Sequence, residues 1–556
     1  MQSSDKILVQ WLATRTAQAG IQYVVLSPGS RNAPFAIAFD AHPDIQTFVV
    51  HDERAAAFVA LGLAQETQKP VALCCTSGSA CLNYYPALAE AYYRNIPLLV
   101  LTADRPAEWI NQGDGQTIVQ REVFKNHAHA YLELDESSFE LNRAAEEQLQ
   151  QTLERLHARW KGPIHINVGL NEPLYQQAAL TSFDSLHLAA EKTALHFPDF
   201  SLLNGKKIMV LVGQMAPNAQ FEQALIRFSN WSNVVVLVEN TSNVQHERFN
   251  ACIDRSLNGI TTENPDFHPD ILISFGGAVV SKRIKAYLRK NKAALHWRVA
   301  PDFPDMDTFR LDTTFFNVPE TDFMQALEKE RLILNTTNYN GKWKAIDYIA
   351  KDKQAQFETP AAILTDYDVF SAFFEFVEGP AVLHMANSSV VRYAQLFDPI
   401  TGLRYESNRG TSGIDGSVST AVGAALASPD TKHYLIVGDI SLIYDSNAFW
   451  TKPFPKNLKI IVIQNKGGGI FQIIPGPAAS PLREQYFEAT HQTSPAAVIR
   501  GYGFEVQEAH SKATILEDLS AFLEPTNPIQ VIQIETAQDE NAVVLDQFFT
   551  FLKTNA

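Results

Sequence analysis

Gly438-Asp439 closes one strand-like run, YLIVGD at 434–439, and Asn465-Lys466-Gly467-Gly468-Gly469 closes the next, KIIVIQN at 459–465. The interval between Asp439 and Asn465 accommodates one helix and a return crossover, which brings both to the carboxyl edge of a parallel sheet, where ligands bind. A carboxylate (Asp439), an amide oxygen (Asn465) and a backbone carbonyl (Gly467) are hard oxygen donors. With diphosphate oxygens and water they complete a Mg²⁺ shell, and a diphosphate needs such a counter-ion. Taken singly, each motif has an equal structural account, with Asp439 capping a helix and the glycines making a turn. Their joint spacing favours the metal site.

The elements that must carry these residues follow from the periodicity. Over the first 170 residues helical and strand patterns alternate: a helix at 7–19, YVVL at 23–26 with the turn SPGSR, FVV at 48–50, and a helix from HDERAAAF to about 66. VALCC at 71–75, the loop TSGSA, the helix LNYYPALAEAYYRN, PLLVL at 97–101 and GPIHINVG at 162–169 continue the series. The stretch 172–204 is polar and weakly patterned, a first linker. KKIMVLVG, VVVLVE and DILISFGG then restart the alternation, with a helix after Pro217, and residues 335–357 read as a second boundary. AVLHMA at 381–386, a helix after Asp415, the two motif strands and VIQIE at 531–535 form the last unit. The expected fold is therefore α/β, with three parallel-sheet domains at 1–180, 195–340 and 355–556.

Length and composition agree. A chain of 556 residues with 46% apolar content builds several cores. The net charge of −16 disfavours nucleic acid and anionic membrane as partners, though a local basic pocket remains open. Cys74, Cys75, Cys81 and Cys252 lack metal-site spacing and read as reduced, buried thiols. The start, MQSSDKILVQWLATRTAQAG, lacks the pattern of a cleavable leader, and no later run suggests a membrane span, so a cytoplasmic location is expected.

SPGSRNAP at 27–34, HDERAAAF at 51–58, TSGSACLNYYPALAEA at 76–91, LTADRP at 101–106, SNRGTSGIDG at 407–416, GDISLIYDSNA at 438–448 and QNKGGGIF at 464–471 together resemble the thiamine diphosphate enzymes. Within them they are most similar to the carboligases of menaquinone biosynthesis. The resemblance covers both terminal thirds and adds little in the middle. It implies pyrimidine-binding, middle and diphosphate-binding domains, thiamine diphosphate as cofactor and Mg²⁺ as metal, with Mn²⁺ an alternative. It also implies 2-oxoglutarate and isochorismate as substrates, and a homodimer with sites at the subunit interface, pairing into tetramers being left open.

Residue by residue, the resemblance assigns Glu53 to the pyrimidine nitrogen, where a carboxyl group can exchange a short charge-assisted hydrogen bond. The competing account of Glu53 is an anion in a helix's first turn. Asp52 and His51 read as capping or packing residues. Ile414 corresponds to the bulky side chain that keeps the cofactor bent, with core packing as its other account. Gly438, Asp439, Ile440, Ser441, Asn465, Gly467 and Gly468 would hold the cofactor, and Asp439, Asn465 and Gly467 the metal. Arg31, Arg105, Arg392 and Arg409 are implied around one carboxylate pocket, since guanidinium is a planar, permanently charged fork. Ser30, Gln116, Asn387 and Ser388 are neutral partners that turns also use, and Phe471 is a wall of the cavity. Two departures stand out: Gly115 precedes Gln116 where the family often has Asn, and Gln464 precedes Asn465 where it commonly has a second Asn.

Two other readings compete. Another thiamine diphosphate enzyme, such as a 2-oxo-acid decarboxylase, would keep Glu53 and the metal motif without needing four arginines. A non-catalytic scaffold of the same architecture would have no reason to keep Glu53, Asp439 and Asn465 together, and the early glycines lack a GxGxxG fingerprint for nicotinamide.

Overall fold

The computed structural model describes residues 2–189, 194–301, 306–474 and 476–553. A short strand β1 (Gln2–Ser4) is followed by β2 (Tyr23–Leu26), β3 (Gln46–Val49), β4 (Val71–Cys75), β5 (Leu98–Asp104), β6 (Tyr131–Asp135) and β7 (Ile164–Gly169). The last six form a parallel sheet in the order β3-β2-β4-β5-β7-β6. β8 (Gln177–Ala179) pairs antiparallel with β1. β9 (Ile208–Val212), β10 (Val234–Val238), β11 (Ile271–Phe275), β12 (Leu295–Val299) and β13 (Thr314–Phe316) make a second parallel sheet in the order β10-β9-β11-β12-β13. β14 (Ala381–Met385), β15 (Leu403–Glu406), β16 (Lys432–Gly438), β17 (Leu458–Gln464), β18 (Val506–Ala509) and β19 (Val531–Glu535) make the third, in the order β15-β14-β16-β17-β19-β18.

Several strands are apolar runs buried along their whole length, as a parallel sheet covered on both faces requires: VALCC and IMVLV, interior in their sheets, and VVVLV, at an edge, have no exposed residue. The three-sheet expectation thus holds. The compact bodies divide the chain differently, into two units: residues 1–192, 410–433 and 443–458 in the first, and 193–409, 434–442 and 459–556 in the second. Segments of the last third therefore belong to the first unit.

The reason lies in a helix pair inside that unit. The helix Glu53–Thr67 is buried almost all round, with Ala55 to Gln65 all inaccessible, so it needs a partner on its outer face. Ser417–Ala427 supplies it. A Cβ on Gly62 would lie 2.0 Å from the Thr420 carbonyl oxygen, and one on Gly423 would lie 2.0 Å from that of Val59. The two backbones touch where each helix offers a glycine. Gly416, just before the second helix, has φ +72°, and a Cβ there would strike the Phe58 ring.

Two stretches differ from the sequence expectation. Within 335–357, Tyr339–Ala355 is a helix whose Tyr339 and Trp343 are buried in the core on one face of the second sheet. Its surface reads as polar because only a narrow stripe is apolar. Within 172–204, β8 and a 3₁₀ turn at Phe200–Leu203 are ordered, while residues 190–193 lie outside the described residues.

Candidate active site

In the first unit, Asp52 caps the helix that begins at Glu53, accepting from the Arg54 N–H at 2.8 Å and the Ala55 N–H at 3.3 Å. Its other oxygen accepts from Asn447 Nδ2 at 2.6 Å. His51 stacks on Trp450, with ring centroids 4.5 Å apart. Asp52 thus makes the cap expected of it, while the exposed His51 ring packs on Trp450. The Glu53 carboxyl is half-buried, and its charge acts on Cys75, Cys81 and Tyr84, placing it beside the carboxyl end of β4 and the loop after it. Burial, reinforced by Asp52, raises its pKa above the ordinary carboxylate range. A carboxyl of raised proton affinity at an accessible sheet edge suits proton exchange at a ring nitrogen.

The same edge collects Arg31 and Arg105. Arg31 is buried, donates to the Leu170 carbonyl at 2.9 Å and pairs with Glu172 at 3.1 Å. Burial lowers its pKa, and the charge of Arg105 lowers it further. Arg105 donates to the Gly115 carbonyl at 3.0 Å and meets Asp114 at 3.4 Å. The side-chain-free Gly115 therefore contributes its carbonyl, and the ionic contact falls to Asp114. Ser30 and Gln116 are exposed, Gln116 with φ +56°.

Ile414 lies on the loop ahead of the Ser417–Ala427 helix and is 37% exposed, which removes core packing as its explanation. Glu90, unremarked in the sequence, anchors that loop. Its carboxylate is 1% exposed and accepts from the N–H of Gly410 at 2.8 Å, the N–H of Thr411 at 2.7 Å and the Thr411 hydroxyl at 2.9 Å.

In the second unit, Asp439 follows β16 and is 1% exposed. Its Oδ1 accepts from the Ile440 N–H and its Oδ2 from the Lys466 N–H, each at 2.7 Å. The two sequence motifs are therefore joined directly. Burial raises the Asp439 pKa, against the pull of the Ile440 N–H, His491 and the Lys466 and Gly467 N–H groups. Asn465 donates from Nδ2 to Asp366 at 3.2 Å, which turns its Oδ1 the other way. Gly467 and Gly468 wrap the Glu488 carbonyl: a Cβ on Gly467 would come within 3.0 Å of it, and the Gly468 N–H donates to it at 2.7 Å. Ser441 is buried, and Gly438, Ile440 and Phe471 are partly exposed around this edge.

Among the described residues no group of three His, Cys, Asp or Glu side chains could hold a metal. A cation here would draw on one carboxylate, one amide oxygen and main-chain oxygen, and the donors present fit a hard divalent ion bound together with phosphate oxygens.

A cavity of about 320 Å³ in the second unit is lined by Arg392 together with Lys282, Arg283, Glu239 and Asp254, and by Ile470, Ile473 and Ile474, which follow the glycine motif. Arg409 acts on Arg392 electrostatically and donates to Asn387 Oδ1 at 2.6 Å. Asn387 in turn donates to the Asn408 carbonyl at 2.6 Å. Arg392 donates to the Ser388 carbonyl, and Ser388 has φ +73°. The structure thus places Arg31 with Arg105, and Arg392 with Arg409. Glu239 accepts from the N–H groups of Val280 and Ser281, both at 2.7 Å, which holds the turn that presents Lys282 and Arg283. Sequence reasoning missed this basic pair, and its signal was only two cations after an ordinary strand and turn.

Residues 7–128 match the model described as thiamine pyrophosphate enzyme, N-terminal TPP binding domain; 172–359 match the middle domain of thiamine pyrophosphate; and 388–533 match thiamine pyrophosphate enzyme, C-terminal TPP binding domain. The fold and the matched domains are those of a thiamine pyrophosphate (thiamine diphosphate) enzyme. The chain is 39% identical to 2-succinyl-5-enolpyruvyl-6-hydroxy-3-cyclohexene-1-carboxylate synthase of Christiangramia forsetii, over 96% of each chain. It is 39% identical to the synthase of that name from Flavobacterium johnsoniae, over 98% of each, and 40% identical to that from Flavobacterium psychrophilum, over 95% of this chain and 96% of the relative. The chain belongs to the family of 2-succinyl-5-enolpyruvyl-6-hydroxy-3-cyclohexene-1-carboxylate synthases.

Proposed function

We propose that the chain makes the compound for which its relatives are named. It decarboxylates 2-oxoglutarate and transfers the resulting succinyl-semialdehyde unit to isochorismate, yielding 2-succinyl-5-enolpyruvyl-6-hydroxy-3-cyclohexene-1-carboxylate and CO₂ in menaquinone biosynthesis, a transferase reaction (EC 2.2.1.9). The observation that carries this reading is kinship over nearly the full length of both chains, because the metal motif alone would suit any enzyme of the class.

The chemistry supplied by bound thiamine diphosphate is a nucleophilic carbon and a sink for the electron pair left by departing CO₂. Glu53 holds and returns a proton at the pyrimidine nitrogen, a role supported by its half-buried position and raised pKa. Asp439, Asn465 and Gly467 hold Mg²⁺ or Mn²⁺, and with Gly438, Ile440, Ser441 and Gly468 they seat the diphosphate. Ile414 presses on the cofactor from its exposed loop and keeps the reacting groups close. Arg31, Arg105, Arg392 and Arg409 bind the carboxylates of the two substrates, assisted by Ser30, Gln116, Asn387 and Ser388, while Phe471 excludes water. One carbon–carbon bond of 2-oxoglutarate breaks, one forms to the isochorismate ring, and pyruvate stays attached as the enol ether.

The working unit is a cytoplasmic homodimer in which Glu53 of one subunit serves a site with Asp439 and Asn465 of the other. The pyrimidine-binding, middle and diphosphate-binding domains span 1–180, 195–340 and 355–556. Among the described residues no helix is long and apolar enough to cross a membrane. The test is purified protein with thiamine diphosphate and Mg²⁺, given 2-oxoglutarate with and without isochorismate, and products identified by mass spectrometry. The succinylated cyclohexene is expected only when both substrates are present; turnover of pyruvate alone would overturn the reading.

A further inference from the structure

Asp366 opens the helix Asp366–Phe376, yet its carboxylate is not needed to cap it. Thr365 and Asp368 already form a capping box there, with the Thr365 side chain accepting from the Asp368 N–H and the Asp368 side chain accepting from the Thr365 N–H. The Asp366 carboxylate, 3% exposed, faces away into a polar hub at the ends of β17 and β19. Its Oδ1 accepts from the Thr536 hydroxyl at 2.7 Å and from Asn541 Nδ2 at 3.0 Å, while its own N–H donates to Asn541 Oδ1 at 2.7 Å. Thr536 is tied to the same place, its N–H donating to the Gln464 carbonyl at 3.1 Å. These contacts immobilise a carboxylate whose remaining oxygen accepts from Asn465 Nδ2 at 3.2 Å.

That last bond decides which way an amide faces. A carboxylate only accepts, so the NH₂ of Asn465 must point at Asp366 and its carbonyl oxygen must point away. We infer that Asp366 is a positioning residue for the divalent metal: it sets the Asn465 amide so that Oδ1, not Nδ2, is offered to the cation. A buried anion behind a neutral ligand also strengthens the site electrostatically, as partners of metal ligands commonly do. Nothing in the helix itself calls for a buried carboxylate at this position, whereas a metal ligand that could otherwise flip does.

The inference rests on Asp439, Asn465 and Gly467 being the metal set. The experiment titrates Mn²⁺ into the full-length protein with saturating thiamine diphosphate and reads unbound Mn²⁺ by its paramagnetic resonance signal, with no turnover involved. Asp366→Asn is expected to weaken Mn²⁺ binding about ten- to a hundred-fold. Thr536→Val removes a hydrogen bond from the same hub but leaves the bond to Asn465, and should keep nearly the parent affinity. Parent-like binding by Asp366→Asn, or equal losses in both variants, would overturn the inference in favour of a merely structural hub. Should Asp366→Asn not fold, Asp366→Glu carries the test, since it keeps the charge and displaces the acceptor by one methylene; parent-like affinity there overturns the inference too. A parent protein that takes up no Mn²⁺ with thiamine diphosphate would overturn the metal set itself, and an indifferent variant beside a binding parent overturns this inference alone.

Discussion

Glu53 and His165 show how one environment acts on two kinds of group. Burial raises the Glu53 pKa, so its carboxyl keeps a proton more readily than a solvated one. Replacing it by Gln preserves shape and removes the exchangeable proton. Glu53→Gln should lower the turnover rate about 10²- to 10⁴-fold while thiamine diphosphate still binds, as steady-state rates and calorimetry would read. His165, 1% exposed on β7 with its ring 2.7 Å from the Thr102 hydroxyl, has its pKa pushed down to about 3 by burial. The unfolded chain protonates it near 6.5, so its contribution to stability is complete above that pH and drains as the pH falls toward 3, by up to about 1.4 kcal/mol per unit. The melting-temperature gap between the parent and His165→Gln should therefore narrow from pH 7 to pH 5; a constant gap counts against a neutral buried ring. Glu53, Asp439 and Asn465 were legible because their neighbours form motifs. Glu90 and Asp366 were not, because each acts on a residue far along the chain, Thr411 and Asn465, and neither carboxylate differs in sequence from a surface one.

At the scale of elements, the central strands were legible almost to the residue: YVVL, VALCC and VIQIE are β2, β4 and β19 as read. The strands missed were β1, β6, β8, β12, β13, β15 and β18. YLELD has an exposed Glu133 between buried leucines, LHWRV is interrupted by His296 and Arg298, both buried, and VQEA is mostly accessible, so none of the three shows an unbroken apolar run. Long-range pairing, not local preference, makes them strands. The crossing of Glu53–Thr67 with Ser417–Ala427 was equally hidden, since neither glycine announces its partner. Here two effects oppose each other. Alanine at Gly62 would gain about 1 kcal/mol of helix propensity. A methyl group 2.0 Å from a carbonyl oxygen cannot be accommodated, and forcing the helices apart costs about 1–3 kcal/mol or more. Sterics should win: Gly62→Ala and Gly423→Ala are each expected to lower the thermal midpoint, and a rise in either would show that the helices can separate freely.

For the whole molecule the decisive question is which chain completes which site. Under the proposed arrangement a site needs Glu53 from one subunit and Asp439 from the other. Glu53→Gln and Asp439→Asn homodimers then have no intact site. If the two variants are mixed and allowed to exchange subunits, half the molecules become heterodimers. In each of these one site carries both defects and the other carries neither. Random pairing thus restores roughly a quarter of the parent's activity from two inactive preparations. Were each site built within a single chain, every site in the mixture would retain one defect, and mixing would restore nothing. Product formation with isochorismate and 2-oxoglutarate, measured before and after subunit exchange, separates the two cases. Ile414 extends the test: it lies in the proposed diphosphate-binding domain with Asp439, yet its segment, 410–433, packs within the unit that holds its own chain's Glu53. If mixing restores activity and Ile414 serves the same site as its own chain's Asp439, Ile414→Ala should complement Glu53→Gln as well; no recovery would assign Ile414 to the site its own chain's Glu53 serves.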